Sequence, residues 1–358
     1  MGDRSSAPTA GLAGWIEWAL LRTWWRPDRT LAAQLLRPVA MLYGWLTARY
    51  PQRVAAPPQG AVPLLVVGNL IVGGAGKTPA VLALVQAFQA AGRHPGVVTR
   101  GYGGSLVSPR AVQSDDRPGE VGDEALLLSR RAGVPVWVGR DRAAAVAGLC
   151  AAHPALDVVI ADDGLQHRGL ARTAELLVFD DRGVGNGLLL PAGPLRQPLP
   201  EALGATQRVL YSGSRISTRL PGRLGRRTLS MAWPLAAWRA GDATQAVALE
   251  ALAGRRVVAA AGLASPDRFF DMLVAAGLTI QRLPLPDHHA YASLPWPLST
   301  PEVLTTEKDA VKLDPAGMGN TRVWVLPLDF QLPAGLAADL LSLLHPPPAT
   351  PPKPPTTP

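Results

Sequence analysis

The stretch Pro63–Pro79, PLLVVGNLIVGGAGKTP, constrains this chain more than any other. The apolar run Leu64–Val67 reads as a buried strand and a glycine-rich turn follows it. After Gly76-Lys77-Thr78, VLALVQAFQAAG carries the apolar spacing of a helix. Strand, glycine turn, Gly-Lys-Thr and helix, in that order, make a phosphate-binding loop. Glycines let successive amide N–H groups curl round a phosphate, and the helix N-terminus adds partial positive charge. Ile71, Val72, Gly73, Gly74, Ala75, Gly76, Lys77 and Thr78 are therefore the candidate nucleotide-binding segment. Lys77 would reach the β- and γ-phosphates and Thr78 would hold Mg2+. The full pattern asks for glycine where Ile71 stands, leaving Gly68, Gly73, Gly74 and Gly76 to supply the flexibility. The chain has only four lysines (Lys77, Lys308, Lys312, Lys353) against 31 arginines, so composition alone does not explain a lysine here.

The 358 residues suffice for two domains, and 47% hydrophobic with 17% charged residues describes a globular chain with ample core. One cysteine, Cys150, excludes an internal disulfide framework and fits a reducing compartment. A formal charge of +8 asks for an anionic partner. Part of that charge is local: residues 1–60 hold seven arginines, three acids and five of the ten tryptophans (Trp15, Trp18, Trp24, Trp25, Trp45). Arginine beside tryptophan in apolar helices suits a membrane interface, and two helices packed on the next domain are the alternative. Neither segment reads as a spanning helix. Glu17 and Arg22 interrupt one and Arg37-Pro38 the other, before the roughly 20 apolar residues a span needs. MGDRSS is polar and no secretory signal is expected.

Downstream, Gly96–Thr99 reads as a second strand followed by a basic, glycine-rich loop with Arg100 and Tyr102. Loops at strand carboxyl ends line the crevice of an open parallel sheet. Gly122-Asp123-Glu124 opens a helix; Asp123 is open to two readings, a general base or a simple N-terminal cap. Val136–Val138 is a short strand, and Arg140 and Arg142 after it hold phosphate or face solvent. The strand Val158–Ala161 ends in Asp162-Asp163, the expected acidic partners of Mg2+ downstream of a phosphate loop. His167 follows on the connecting loop. A second α/β unit begins after an uninformative stretch at 202–250, with strands near Val257–Ala260 and EVLTT and a helix near Pro266–Ala276. Asp287-His288-His289 lies on one of its loops; a zinc site there is improbable without a cysteine or third histidine nearby. The tail from residue 345 is proline-rich and extended.

Taken together, VGNLIVGGAGKTP, TRGYGG, VGDEALLL, ADDGLQHRGLAR, GNGLLLPAGPLRQP, AAAGLASPDRFF, LPDHHAY and TTEKDAVKL resemble the tetraacyldisaccharide 4′-kinase family of lipid A biosynthesis, in order from about residue 63 to 313. The resemblance implies transfer of the ATP γ-phosphoryl group to the 4′-hydroxyl of a tetraacylated glucosamine disaccharide 1-phosphate, giving lipid IVA. It implies an α/β fold: a phosphate-loop NTPase-type parallel-sheet domain, a second, smaller α/β domain, and N-terminal amphipathic or apolar helices on the cytoplasmic face of the inner membrane. The expected division is 1–55 for those helices, 56–220 for the kinase domain, 221–344 for the smaller domain and 345–358 for a disordered tail.

By the resemblance, Lys77 and Thr78 serve the nucleotide and Mg2+, and Asp162 and Asp163 the metal. Asp123 is the catalytic base, paired with a histidine that is His288 or its neighbour His289. Arg100, Tyr102, Arg140, Arg142 and His167 are candidates for the lipid substrate and its 1-phosphate. The expected partners are the lipid disaccharide and an anionic membrane surface, with no nucleic acid, and the protein is expected to be a monomer. Ala125 stands where the family usually has proline, and Gln197 where it usually has glutamate. The competing reading is a switch ATPase or GTPase of the MinD or metallochaperone type. Against it, Val72 occupies the position of that group's first loop lysine, and no guanine-binding Asn-Lys-x-Asp motif is present.

Overall fold

The computed structural model describes residues 19–345 apart from 27, 29, 50–59 and 168. Trp15, Trp18 and the proline-rich tail lie outside the described residues. Eight strands form the larger sheet: β1 (Leu64–Gly68), β2 (Pro95–Thr99), β3 (Arg110–Ala111), β4 (Val136–Val138), β5 (Val158–Asp162), β6 (Ala174–Phe179), β7 (Gln207–Tyr211) and β8 (Arg223–Leu224). Their order is β3-β4-β2-β5-β1-β6-β7-β8, all parallel except β3 against β4. Runs such as Leu64–Gly68 and Val158–Asp162 are buried at every position, as a parallel sheet covered on both faces requires. A large apolar side chain in such a layer contributes about 1.5–3 kcal/mol by leaving water.

Helix α1 (Leu31–Arg49) precedes the sheet, α2 (Lys77–Ala90) follows the phosphate loop, and α3 (Pro118–Val121) and α4 (Asp123–Ala132) follow β3. Helix α5 (Arg142–Ala152) connects β4 to β5. The register pairs Val67 on β1 with Asp162 on β5, so the acidic strand end sits beside the start of the phosphate loop.

After β8 the chain leaves the larger sheet. A ribbon of β9 (Arg226–Thr228) pairs with a strand near the C-terminus, and a second sheet follows: β10 (Met231–Pro234), β11 (Val247–Ala248), β12 (Arg256–Ala261), β13 (Thr279–Pro284), β14 (Glu302–Thr306) and β15 (Arg322–Leu326), in the order β11-β10-β15-β14-β12-β13. The ribbon partner is β16 (Asp329–Gln331). Helices α6 (Leu235–Ala240), α7 (Pro266–Ala275) and α8 (Glu307–Ala310) belong to this unit.

The last helix, α9 (Leu336–Leu344), turns back to the larger sheet rather than staying with the smaller one, to which the sequence assigned it. Its Leu336, Leu340 and Leu344, spaced four apart, are buried against α2 and β6. Arg208 of β7 grips Asp339 with Nε and Nη2 at 2.9 and 3.0 Å. Helix α4 is tied to the smaller unit and to the ribbon, because Arg131 binds Glu307 at 2.6 Å and Asp329 at 3.1 Å.

Candidate active site

The phosphate loop leaves β1 through Asn69, which is fully buried and donates to the Gly73 carbonyl at 3.0 Å. The carbonyl of Gly74 accepts from Arg182 at 2.6 Å, and that of Ala75 from Ser212 Oγ at 2.6 Å and Arg227 at 3.3 Å. With three successive carbonyls engaged on one side, the amide N–H groups are left for an anion on the other. Gly73 and Gly76 carry the turn at φ 87° and 82°, and a Cβ at Gly76 would collide with the Arg227 guanidinium.

Ile71 is not in that turn. It is fully buried and bridges to Leu195, and the Val72 N–H is donated to the Pro194 carbonyl at 2.9 Å. The Ile71 side chain is thus committed to the core and the Val72 amide to Pro194.

Lys77 opens α2 with its Nζ 3.3 Å from both Asn69 Oδ1 and Asp163 Oδ1. Thr78 Oγ1 donates to Asp162 Oδ2 at 3.2 Å. The other oxygen of Asp162 is buried without a hydrogen-bond partner. Burial, helped by the carboxylates of Glu124 and Asp163, pushes Asp162 up to about 7, against the opposing pull of Lys77 and Thr78. Asp163 is desolvated too, yet Lys77 and Arg196 outweigh that and hold it below the usual carboxylate range. Its backbone lies in the left-handed region at φ 52°, with its carbonyl accepting from Arg142 at 3.2 Å.

The cluster fits a divalent cation. An orphaned buried carboxylate oxygen sits beside a hydroxyl and a second acid, and Mg2+ is usually held by one or two carboxylates with phosphates and water completing the shell. Among the described residues no group of three or more His, Cys, Asp or Glu forms an all-protein cage.

Asp162 yields a stability prediction with a definite sign. Its native value lies above the ordinary carboxylate range, so the folded state holds a proton that the unfolded chain releases. Stability therefore falls as pH rises toward about 7 and stays lowered above it. Asp162→Asn should raise the nucleotide-free melting temperature at pH 8 by about 2–4 °C, and by less at pH 5. Equal shifts at both pH values in a thermal scan would contradict this.

Asp123 is the first residue of α4, and the N-cap is Gly122 at φ 89°, not Asp123. Its side chain turns to the smaller unit, where His288 Nδ1 lies 2.9 Å from Oδ2 and 3.1 Å from Oδ1, with Lys312 Nζ at 3.5 Å. Burial works against the Asp123 carboxylate, but the His288 hydrogen bond and the Lys308 and Lys312 charges outweigh it and hold it below the usual range. His288 is itself in the left-handed region at φ 58°. His289 packs edge-on to Tyr291 at 4.8 Å and makes no contact with Asp123. Glu124, next along, faces Lys308 at 3.4 Å and also presses on Asp162, so the two acidic clusters adjoin.

The remaining candidates divide. Tyr102 is exposed, with its ring 5.0 Å from that of His288, and Arg100 is exposed near Arg142. Arg140 is exposed, whereas Arg142 is buried with its guanidinium donating to the Asp163 carbonyl. His167 is half-buried; desolvation first, then the nearby Arg142 and Arg172, lower it. Sequence reasoning missed Arg182, Arg227, Arg196, Lys308 and Lys312. The lysines left a usable signal: they stand four residues apart in TTEKDAVKL, in a chain with four lysines in all.

The family described as "Tetraacyldisaccharide-1-P 4'-kinase" matches residues 32–345. The chain is 49% identical over 340 residues to a tetraacyldisaccharide 4'-kinase of Methylibium petroleiphilum, covering 92% of this chain and 94% of the relative. It is 50% identical over 317 residues to one of Leptothrix cholodnii, covering 86% and 91%. A crystal structure described as an "apo" form of LpxK from Aquifex aeolicus in complex with ATP superposes with a TM-score of 0.68, at 24% identity over 88% of this chain and all of that one. At that identity the likeness speaks for the fold.

Proposed function

The chain belongs to the tetraacyldisaccharide 4′-kinase family, and we propose the residue roles by which it acts. It is an ATP-dependent kinase of lipid A biosynthesis that phosphorylates the 4′-hydroxyl of a tetraacyldisaccharide 1-phosphate. The observation that carries the roles is the Asp123–His288 pair, a buried carboxylate bridging two units beside the acids that flank Lys77 and Thr78.

Asp123 accepts the proton of the 4′-hydroxyl while that oxygen bonds to the γ-phosphorus. The bond from phosphorus to the β–γ bridging oxygen breaks, and ADP leaves with the electron pair. His288 orients the carboxylate. Lys77, 3.3 Å from Asp163, reaches the β- and γ-phosphates, whose backbone cradle is Gly73 to Thr78. Thr78 and Asp162, with Asp163 beside them, would hold Mg2+, which neutralises phosphate charge when bound. Because Asp162 must lose its proton to take a cation, the Mg2+ needed for half-maximal rate should rise as pH falls below about 7. Arg100 and Tyr102 flank the base on the acceptor side.

Helix α1 supports docking at a membrane surface. Leu31, Leu35, Val39, Leu42, Trp45 and Leu46 are exposed, and helical spacing sets them on one face. The opposite face buries Ala33 and Ala40 and ties Tyr43 Oη to the Arg196 carbonyl at 2.9 Å. No described helix is long and apolar enough to cross a membrane. Trp24, by contrast, is buried, with its Nε1 donating to the Pro191 carbonyl at 2.8 Å. Replacing Leu35 and Leu42 by glutamine should weaken binding to anionic vesicles roughly 10²- to 10⁴-fold, since each buried leucine contributes about 1.5–3 kcal/mol. Unchanged co-sedimentation would rule out α1 as the docking face.

The test of the reaction is transfer of radiolabelled γ-phosphate from ATP to a tetraacyldisaccharide 1-phosphate in mixed micelles. ATP hydrolysis without labelled lipid would instead favour the switch ATPase.

A further inference from the structure

Lys308 stands where the chain turns from β14 into α8, inside TTEKDAVKL. Its Nζ meets three acceptors: Asp287 Oδ1 at 3.1 Å, His288 Nε2 at 3.2 Å and Glu124 Oε1 at 3.4 Å. The first two are hydrogen bonds and the third an ion pair, and an ammonium, with three hydrogens and no lone pair, can only donate. Burial works against its charge, but Glu124, Asp287 and Asp123 outweigh it and Lys308 stays protonated.

The contact with Nε2 has a chemical consequence. An ammonium can only donate, so the imidazole nitrogen it faces must present a lone pair. The single ring proton then sits on Nδ1, the atom within 2.9 and 3.1 Å of the Asp123 oxygens. We propose that Lys308 is a positioning residue that fixes His288 as the neutral Nδ1–H tautomer, so that His288 orients Asp123 without forming an ion pair with it.

This rests on Asp123 being the base. A neutral N–H donor aligns the carboxylate and leaves its charge to draw the hydroxyl proton. A doubly protonated ring would share a full positive charge with the same oxygens and make Asp123 a weaker acceptor. The other charged groups facing this ring pair are Glu124 from α4, Asp287 from the histidine's own loop, and Lys312. Lys312 reaches Asp123 at 3.5 Å and Asp309 at 3.4 Å, so it supplies charge to the carboxylate but does not set the ring. Tyr102 lies against the ring and carries no charge.

The experiment is a long-range 1H–15N spectrum of the full-length protein labelled with [15N]histidine. The chain has six histidines, and His288 is assigned by the signal lost in His288→Gln. Wild type should display a protonated Nδ1 and a bare Nε2. In Lys308→Met, Nε2 should gain a proton and kcat for lipid phosphorylation should fall roughly 10- to 100-fold, with KM for ATP unmoved. Lys308→Arg keeps a cationic donor and should restore both the ring pattern and most of kcat.

A protonated Nε2 in wild type at neutral pH overturns the proposal, whatever becomes of the variants. So does a fall in kcat in Lys308→Met with the ring pattern unchanged, or no change in either. Should Lys308→Met not fold, the wild-type and Lys308→Arg spectra decide. Failure of the wild type to label lipid would count against the kinase roles, whereas the spectrum needs no turnover and still answers for Lys308.

Discussion

Asp123→Asn should lower kcat for lipid phosphorylation by roughly 10²–10⁴-fold and leave KM for ATP almost unchanged. The substitution is nearly isosteric, so the entry to α4 and the approach of His288 persist, while the group that takes the proton is gone. A sugar hydroxyl is a poor nucleophile, and most of the remaining rate comes from positioning and charge neutralisation, which the substitution leaves in place. The fold should tolerate the change. Lys312, 3.5 Å from Asp123, still has Asp309 at 3.4 Å.

Asp123 also has a defined pH signature. The ionised carboxylate is held below the ordinary range, so the stability it contributes is present above the unfolded value and is lost as pH falls through the lower folded value. An acid limb of the rate near neutrality therefore belongs to another group. Steady-state kinetics of the wild type and Asp123→Asn, each from pH 5 to 9, check both points. An unchanged kcat in the variant would remove Asp123 from the chemistry.

What was legible in the sequence is local. β1, β2, β4 and β5 could be placed because parallel strands covered on both faces are short, continuous apolar runs, and the glycine turn and Asp-Asp punctuate their ends; β3, two residues long and antiparallel, left no such run. What was not legible depends on pairing between distant segments. Ile71 looked like a fault in the loop until its bridge to Leu195 gave it a core position. Trp24 and the residues of α1 have similar composition, yet one packs on the Pro191 carbonyl and the other leaves a leucine face exposed. His288 and His289 are adjacent and chemically alike. Only the left-handed turn at His288 decides which ring meets Asp123. The return of α9 to the larger sheet has no local signal, since Leu336, Leu340 and Leu344 would suit either unit.

Lys77→Met should reduce kcat/KM by roughly 10²- to 10³-fold, because the ammonium neutralises charge that develops on the transferring phosphoryl group, where one preorganised donor is worth about that much. Methionine keeps the length and apolar stem, so the loss measures the charge. A second effect distinguishes Lys77 from a residue that only meets ATP. Its ammonium lies 3.3 Å from the Asp163 carboxylate, and it opposes the rise of Asp162. Removing it leaves two adjacent, largely buried acids less compensated.

The resulting loss of stability should fall short of the 3–5 kcal/mol typical of breaking a fully buried pair. Arg196 remains 3.4 Å from Asp163, and that side chain is 29% exposed. The loss should grow as pH rises through about 7, as Asp162 gives up its proton, and Lys77→Met/Asp162→Asn should recover most of it without recovering activity. Thermal scans at pH 5 and 8 with the single and double variants read this coupling directly. Additive shifts would mean that Lys77 and Asp162 do not share one electrostatic site, and the proposed joining of phosphate loop and metal cluster would fail with them.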